Sequence, residues 1–592
     1  MLDPYRMVVV NIIASALVFF GVLFYRFIYP KKKINLLFLL ILVGLLPLIS
    51  MLRSGTYQSG DLSWHTIRAM SFYKIIALEH TFPTWTPEWF GGYGIPFFSF
   101  GYILPYIIAS IFHFVGFSFL ASVKLLLASS YLLSGIFMYL FVKNELGEKA
   151  GFTAAIFFLF SPIHLINMHF EVTIAMVLSY LFLPLCLCLT KKVLLETSFE
   201  WGFLLAFSVA LLILSHQVIS LSFFPVIVLY GLFLIYINKI KLRAISYFLI
   251  SLGFSFLLTF FYWVPILYES VFTQQAVNHN PITLLSISNL LYSPHRFGLL
   301  FQGSHGELYR IIGYTQIVIV VLSFFILRKK TYIKIKKLTL FFLLLFFIFT
   351  FMITSFSRPI WELIPLIKYF EYSARLLVIV SFLTAVIAGL VVKVFNKNWL
   401  IIALCSLTIL YTILNWGNRT TISSINDNTL SNKEIAWPGI GKDSGLVPPT
   451  PVWINIYNLK NLQYRSANIE ILSGNATVRE LSRSSKLHEY LINVKSDQAK
   501  FKENTLYFPG WKVIEESTEY KIDYKNKKYS GIIVFNLKKG VHKIKLLYTN
   551  TFVRRTSQTV SIVALVIFIL ALFYNYLYVK PVINNKKKIK LS

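Results

Sequence analysis

Residues 311–356 read IIGYTQIVIVVLSFFIL (311–327), RKKTYIKIKK (328–337) and LTLFFLLLFFIFTFMITSF (338–356). Two apolar runs flank a linker with six basic side chains and no acid. Each run approaches the ~20 residues needed to cross a hydrocarbon core of about 30 Å. Linkers rich in Lys and Arg stay on the cytoplasmic side. The stretch therefore predicts a helical hairpin through a membrane, with its linker inside.

The same pattern extends through the chain. Apolar runs fall near 7–29, 34–52, 119–142, 151–169, 172–190, 202–217, 218–237, 244–264, 311–327, 338–356, 376–395, 399–416 and 558–579. Positive charge follows every odd run: Lys31 to Lys33, Lys143 and Lys149, Lys191 and Lys192, Lys239 to Arg243, Arg328 to Lys337, Lys393 and Lys397, and Lys586 to Lys590. One topology satisfies all of them, a multi-pass plasma-membrane protein with its N-terminus outside and its C-terminus cytoplasmic. The runs 151–169 and 202–217 are short, and a bent or re-entrant segment is open there. Composition agrees: of 592 residues 56% are hydrophobic and 14% charged, with a mean hydropathy of +0.67. A soluble core cannot hide that much apolar surface.

The first run is too long for a signal-peptide core and lacks a small-residue cleavage site. The net charge of +31 does not mark a nucleic-acid binder, because the basic residues sit between apolar runs and not along one stripe. Cys186, Cys188 and Cys405 all lie inside apolar runs and have no disulfide or zinc spacing.

Four segments then fall outside: 53–118, 265–310, 357–375 and 417–557. Within the first, Gly101 to Ser118 is apolar, but counting it as a span would reverse the charge alternation. It reads as a helix lying in the interface. In the last, Ala467 to Leu472, Lys486 to Val494, Gly531 to Leu537 and His542 to Tyr548 alternate as strands do. Turn signals lie between them at Phe508-Pro509-Gly510-Trp511, Tyr524 to Lys528 and Lys538-Lys539-Gly540. The expected architecture is a polytopic α-helical membrane protein of about 13 transmembrane helices with a C-terminal extracytoplasmic β-rich domain. Its parts are a transmembrane module over 1–416, a β-sandwich-like domain over 417–557, and a final helix with a basic tail over 558–592.

The first outer segment opens Ser59-Gly60-Asp61-Leu62-Ser63-Trp64-His65 and continues to Gly91-Gly92-Tyr93-Gly94-Ile95-Pro96. It is long, aromatic, and carries an acid close to the membrane. Asp61 can act as a general base, or hold a divalent cation such as magnesium or manganese beside a phosphate-bearing lipid. The competing reading is an interfacial loop with a Trp belt and a solvated Asp. His65 follows four residues later, so a helix would turn both to one side, as a metal site or proton relay needs.

These residues resemble a membrane family labelled "6-pyruvoyl-tetrahydropterin synthase related", close to the YfhO family within the GT-C glycosyltransferase superfamily. The resemblance runs through Gly60-Asp61, Trp64-His65, Gly91 to Pro96 and Tyr102-Ile103-Leu104-Pro105-Tyr106. It continues in Ser161-Pro162 with Asn167, Ser215-His216, Phe261-Tyr262-Trp263-Val264-Pro265 with Glu269, and Trp361-Glu362-Leu363-Ile364-Pro365 leading to Arg375. It ends in Phe508-Pro509-Gly510-Trp511 and Gly540-x-His542. No pterin chemistry is implied, because the eleven histidines are scattered and form no zinc set.

The resemblance implies an enzyme that takes a sugar from a polyprenyl-phosphate carrier and passes it to a cell-envelope glycan or polymer acceptor. Asp61 is then the base or metal ligand, with His65 and Glu171 as further catalytic candidates. Glu171 sits in Asn167-Met168-His169-Phe170-Glu171, which lacks the Arg-Gly of many relatives. Arg375 is placed to hold the departing phosphate, with Arg358, Lys368 and Arg310 as alternates. Glu269, His216, Trp361 and Tyr93 complete the expected substrate contacts. A transporter of lipid-linked glycans and a non-catalytic envelope scaffold are the competing functions. A transporter should show repeated halves or ionisable groups at mid-membrane, whereas the acids here gather at the outer ends.

Overall fold

A computed structural model describes residues 4–274, 281–329, 333–363, 370–431, 449–454 and 464–579. Lys368 and the basic tail Lys586 to Lys590 lie outside the described residues.

Each of the thirteen apolar runs is helical, but they differ in kind. Among the described residues eight helices are long and apolar enough to cross a membrane, or ten if each of two bent pairs is one span. The pairs are Glu148–Leu159 with Pro162–His169, bent by 47°, and Leu242–Leu258 with Phe260–Phe272, bent by 62°. Pro162 opens the second half of the first pair, where its missing N–H costs nothing. Three more runs form shorter helices, Leu36–Leu52, Phe199–Ser215 and Tyr314–Arg328. The first bend falls in 151–169, where the short run leaves a bent segment open; the second, in 244–264, has no such signal, because hydropathy registers apolar length alone. Gly101 to Ser118 holds the helix Leu104–Phe114, whose 11 residues rise only about 16 Å. That is too short to span.

The bundle has two chemically different ends. At one, the basic connections meet: Lys149 Nζ donates to Asn398 Oδ1 at 2.8 Å, Lys191 pairs with Glu145, and Lys329 Nζ lies 4.6 Å from the Phe395 ring. At the other, β1 (Thr56–Tyr57) pairs antiparallel with β2 (Thr421–Ile422). There the Asp427 carboxylate also accepts from the amides of Phe119 and Leu120 at 2.7 and 3.0 Å, capping the helix Phe119–Leu146.

The β-domain is one six-stranded antiparallel sheet of β3 (Ile469–Ser473), β4 (Ala476–Arg483), β5 (Leu487–Leu506), β6 (Trp511–Glu515), β7 (Thr518–Tyr520) and β8 (Ile532–Tyr548). The order is β3-β5-β8-β6-β7, with β4 also on β5. Lys538-Lys539-Gly540 does not end a strand as expected. β8 runs through it, and the register against β5 shifts between Val494 and Gln498. β5 folds over, so that His488 and Glu503, near its opposite ends, lie 3.0 Å apart. A single sheet thereby gains two facing halves in place of two separate sheets. Burial of Glu503 opposes its ionisation, but His488 and Arg483 overcome this and hold its carboxyl down to about 2. The protein is thus a multi-pass helical membrane protein with a C-terminal β-sheet domain.

The domain is fixed to the helices at several points. Ser485 N donates to Glu79 Oε1 at 2.7 Å, at the far end of the helix Leu62–Glu79 that Asp61 begins. Arg465 N donates to Gly91 O and Leu506 N to Tyr93 O, both at 2.9 Å. The final helix, Phe552–Tyr574, is held by Arg554, which donates from Nε and Nη2 to Glu269 Oε2 at 2.9 and 2.6 Å. Thr551 Oγ1 donates to Glu269 Oε1 at 2.7 Å.

Candidate functional site

The segment 59–61 lies directly against 170–171. Gly60 N donates to Phe170 O at 2.7 Å and Asp61 N to Glu171 O at 3.0 Å. A Cβ on Gly60 would stand 2.9 Å from Glu171 O, so the glycine at position 60 is a condition of this approach. Val172 has a φ of 57°, an uncommon strain for a β-branched residue. These contacts bring the Asp61 and Glu171 side chains to one corner at the acid-bearing end of the bundle.

Asp61 stands at the N-cap of Leu62–Glu79, yet its carboxylate makes no capping bond. Among the described residues nothing donates to it. Burial raises its pKa; Arg68 opposes the rise and Glu171 adds to it. Glu171 is engaged differently. Arg310 donates to its Oε1 from Nε at 2.9 Å and also from Nη2.

Below Asp61 lies an aromatic and cationic wall. His65 is buried, with Nδ1 3.0 Å from Tyr106 Oη and Nε2 without a hydrogen-bond partner among the described residues. Burial, reinforced by Arg68, pushes its pKa well down, so the ring is neutral. Arg68 Cζ sits 4.8 Å from the Phe97 ring and 5.6 Å from Trp89, two rings stacked on each other at 5.3 Å. Its buried Nε has no hydrogen-bond partner among the described residues. Tyr102 stacks on Tyr106 at 5.8 Å and on His216 at 5.9 Å. His216 caps the helix Gln217–Ile237, its Nδ1 accepting from Ile219 N at 3.3 Å. Arg375 donates to Glu371 Oε2 at 2.6 Å and to Phe370 O at 2.9 Å. It is close enough to Tyr102 and His216 for its charge to act on both.

Of the residues named from sequence, Asp61, His65, Glu171, His216 and Arg375 are joined by this chain of contacts. Two others, Glu269 and Tyr93, lie elsewhere, and Trp361 adjoins Arg375 through Phe370. Glu269 is 1% exposed and committed to Arg554. Tyr93 lies in the seam with the β-domain, where burial and then Glu470 raise its pKa against Arg465. Trp361 packs on Phe370 and donates to Met352 O at 2.8 Å. Arg68 was not among the candidates. The spacing of 61, 65 and 68 lays one stripe along a helix, which is the signal that could have found it. Arg310 becomes a principal member because folding brings it to Glu171.

The residues present do not form a cation site by themselves. Among the described residues no group of three His, Cys, Asp or Glu could hold a metal. Asp61 has one neighbouring carboxylate, and Arg310 occupies it. A hard divalent cation takes about six oxygen ligands. The site is instead three carboxylates, Asp61, Glu171 and Glu371, interleaved with three arginines, of which Arg310 and Arg375 are each paired with an acid.

No family model matches the chain. An uncharacterized protein of Lactococcus lactis subsp. cremoris (strain MG1363) is 29% identical over 230 residues, 38% of this chain and 37% of that one. The match thus spans little more than a third of the curated relative's length. Among solved structures, the Archaeoglobus fulgidus oligosaccharyltransferase AglB in complex with an inhibitory peptide and a dolichol-phosphate is 11% identical, with a TM-score of 0.38 over 66% of this chain and 56% of that chain. The A. fulgidus oligosaccharyltransferase complex with Zn and sulfate gives 13% and 0.38 over 66% and 54%. Likenesses of this size carry no inference about chemistry.

Proposed function

We propose that the chain is a membrane glycosyltransferase that moves a sugar from a polyprenyl-phosphate donor to a cell-envelope acceptor, with Asp61 as the base. The observation that carries this reading is the Asp61 carboxylate: half-buried, without a donor, raised in pKa, and near Arg68 and the Arg310–Glu171 pair. A base whose pKa is moved toward neutrality transfers protons more effectively than an ordinary carboxylate.

In this mechanism Asp61 takes the proton of the attacking acceptor hydroxyl. The hydroxyl oxygen bonds to the anomeric carbon from the side opposite the phosphate. The bond from that carbon to the phosphate oxygen breaks, and its electron pair leaves with the lipid phosphate, so configuration inverts. Arg68 and Arg375 supply the positive charge that the leaving phosphate requires. Glu171, which acts on Asp61, holds Arg310. Tyr102, stacked between His216 and the buried Tyr106, gives the sugar an aromatic edge. The gathering of the basic connections at the opposite end supports a site on the extracytoplasmic face, by the positive-inside rule.

The test is transfer by the full-length protein in lipid nanodiscs, supplied with polyprenyl-phosphate sugars and cell-envelope acceptors. Asp61→Asn is expected to lower turnover by roughly 10²–10⁴-fold while membrane insertion and thermal unfolding stay cooperative. Unchanged transfer in that variant would remove Asp61 from the mechanism. Translocation of the donor without transfer would replace the enzyme by a transporter.

A further inference from the structure

At the basic end of the bundle, far from Asp61, an open apolar cavity of about 490 Å³ lies between the ends of the Tyr314–Arg328 and Leu377–Phe395 helices. Leu322, Phe325 and Phe395 form its walls, and Arg328 and Lys329 stand at its mouth. The volume is within the range of about 300–1,000 Å³ that small-molecule sites occupy.

We infer that this groove is a binding site for an anionic phospholipid of the surrounding bilayer, with an acyl chain along Leu322, Phe325 and Phe395 and the headgroup phosphate on Arg328 and Lys329. Three observations converge. The walls are apolar, which suits a hydrocarbon chain and gives a free phosphate nothing to hold. Arg328 is exposed and has no hydrogen-bond or ion-pair partner among the described residues, so its five donors are available. Lys329 is held over the Phe395 ring, 4.6 Å from its centroid, which fixes its ammonium at the rim.

Two helices end here, and each contributes about half a negative charge. Arg328 and Lys393 sit in their last turns, with Lys329 and Lys397 just beyond. Four cations exceed the two half-charges, so the field at the mouth stays positive. Basic pockets between membrane helices recognise anionic headgroups in this way. The groove lies at the opposite end from the site around Asp61, so it is separate from any sugar donor, and its test needs no transfer assay.

The experiment uses the full chain in a neutral detergent, read by native mass spectrometry and thermal unfolding. Phosphatidylglycerol is expected to remain bound and to raise the unfolding midpoint by a few degrees, as a ligand of the native state does. Phosphatidylcholine with the same acyl chains is expected to do neither. The Arg328→Gln/Lys329→Gln double variant should lose the preference; both side chains are exposed, so the fold is retained. Leu322→Trp, which fills the groove and keeps both cations, should lose it too. Equal effects of the two lipids overturn the proposal in favour of apolar filling. An equal effect of inorganic phosphate overturns it in favour of a free-anion site. Retained preference in both variants also overturns it.

Discussion

The amide of Asp61 donates to the carbonyl of Glu171 at 3.0 Å, so two carboxylates from distant parts of the chain share one corner of the bundle. Glu171 is answered by Arg310, and Asp61 by no donor. That asymmetry gives the two acids different properties.

For Asp61 it fixes the sign of two pH effects. Catalysis by the anion rises with pH through a value above the ordinary aspartate pKa of about 3.9, and Asp61→Asn lacks this limb. Stability runs the other way, because burial favours the protonated form. That contribution is complete below the unfolded pKa and is lost as pH rises through the raised folded value. Asp61→Asn, neutral throughout, is therefore expected to unfold at a higher temperature than the parent at pH 7, the gap closing in acid. Thermal midpoints measured across pH check this; a lower midpoint for the variant at pH 7 contradicts it.

With arginines supplying the positive charge, chelation should leave transfer unchanged. Arg68→Gln should slow transfer by roughly 10²–10³-fold, as loss of one preorganised donor does. Rates with and without EDTA, for parent and variant, decide between arginine and metal. Inactivation by EDTA that magnesium restores would assign the charge to a cation held with the substrate.

The Glu269–Arg554 pair ties the final helix to the bent helix Phe260–Glu269, and its side chains are 1% and 5% exposed. Removing one partner leaves an uncompensated buried charge. Glu269→Ala or Arg554→Ala should each cost about 3–5 kcal/mol, and the double replacement by Met and Leu much less. Denaturant unfolding in detergent gives the comparison. Additive losses would show that the two residues act independently.

Gly92 has a φ of +85°, and a Cβ on it would stand 2.8 Å from Arg465 Nε. Gly92→Ala should cost about 1–2 kcal/mol from the backbone alone and push Arg465 off Asn504 O, to which it donates at 3.3 Å. Trp85 packs on Trp511 at 5.2 Å across the same seam, so tryptophan fluorescence reports undocking. Arg465→Ala should remove the steric part of the penalty and leave the backbone part. Identical unfolding of parent and Gly92→Ala would show that the seam does not depend on this glycine.

The sequence by itself determined the helical segments, the side of the bundle on which basic linkers gather, and the presence of a late β-domain. Each follows from a local property: apolar length, charge between runs, and two-residue alternation. Asp61 was legible because an acid beside an apolar run is costly and its neighbours are aromatic. The shortness of 151–169 left a bend open there, and the structure has one at 159–162; the bend at 258–260 had no such signal, because an apolar residue reads alike on either side of a kink. The continuity of β8 through Gly540 was likewise settled by pairing with β5. Only the tertiary structure decided which charges meet. Arg310 reaches Glu171, Arg68 takes its place over Phe97 and Trp89, and Glu269 is drawn away to Arg554. Pairing between ions depends on distance and burial in space, and separation along the chain fixes neither.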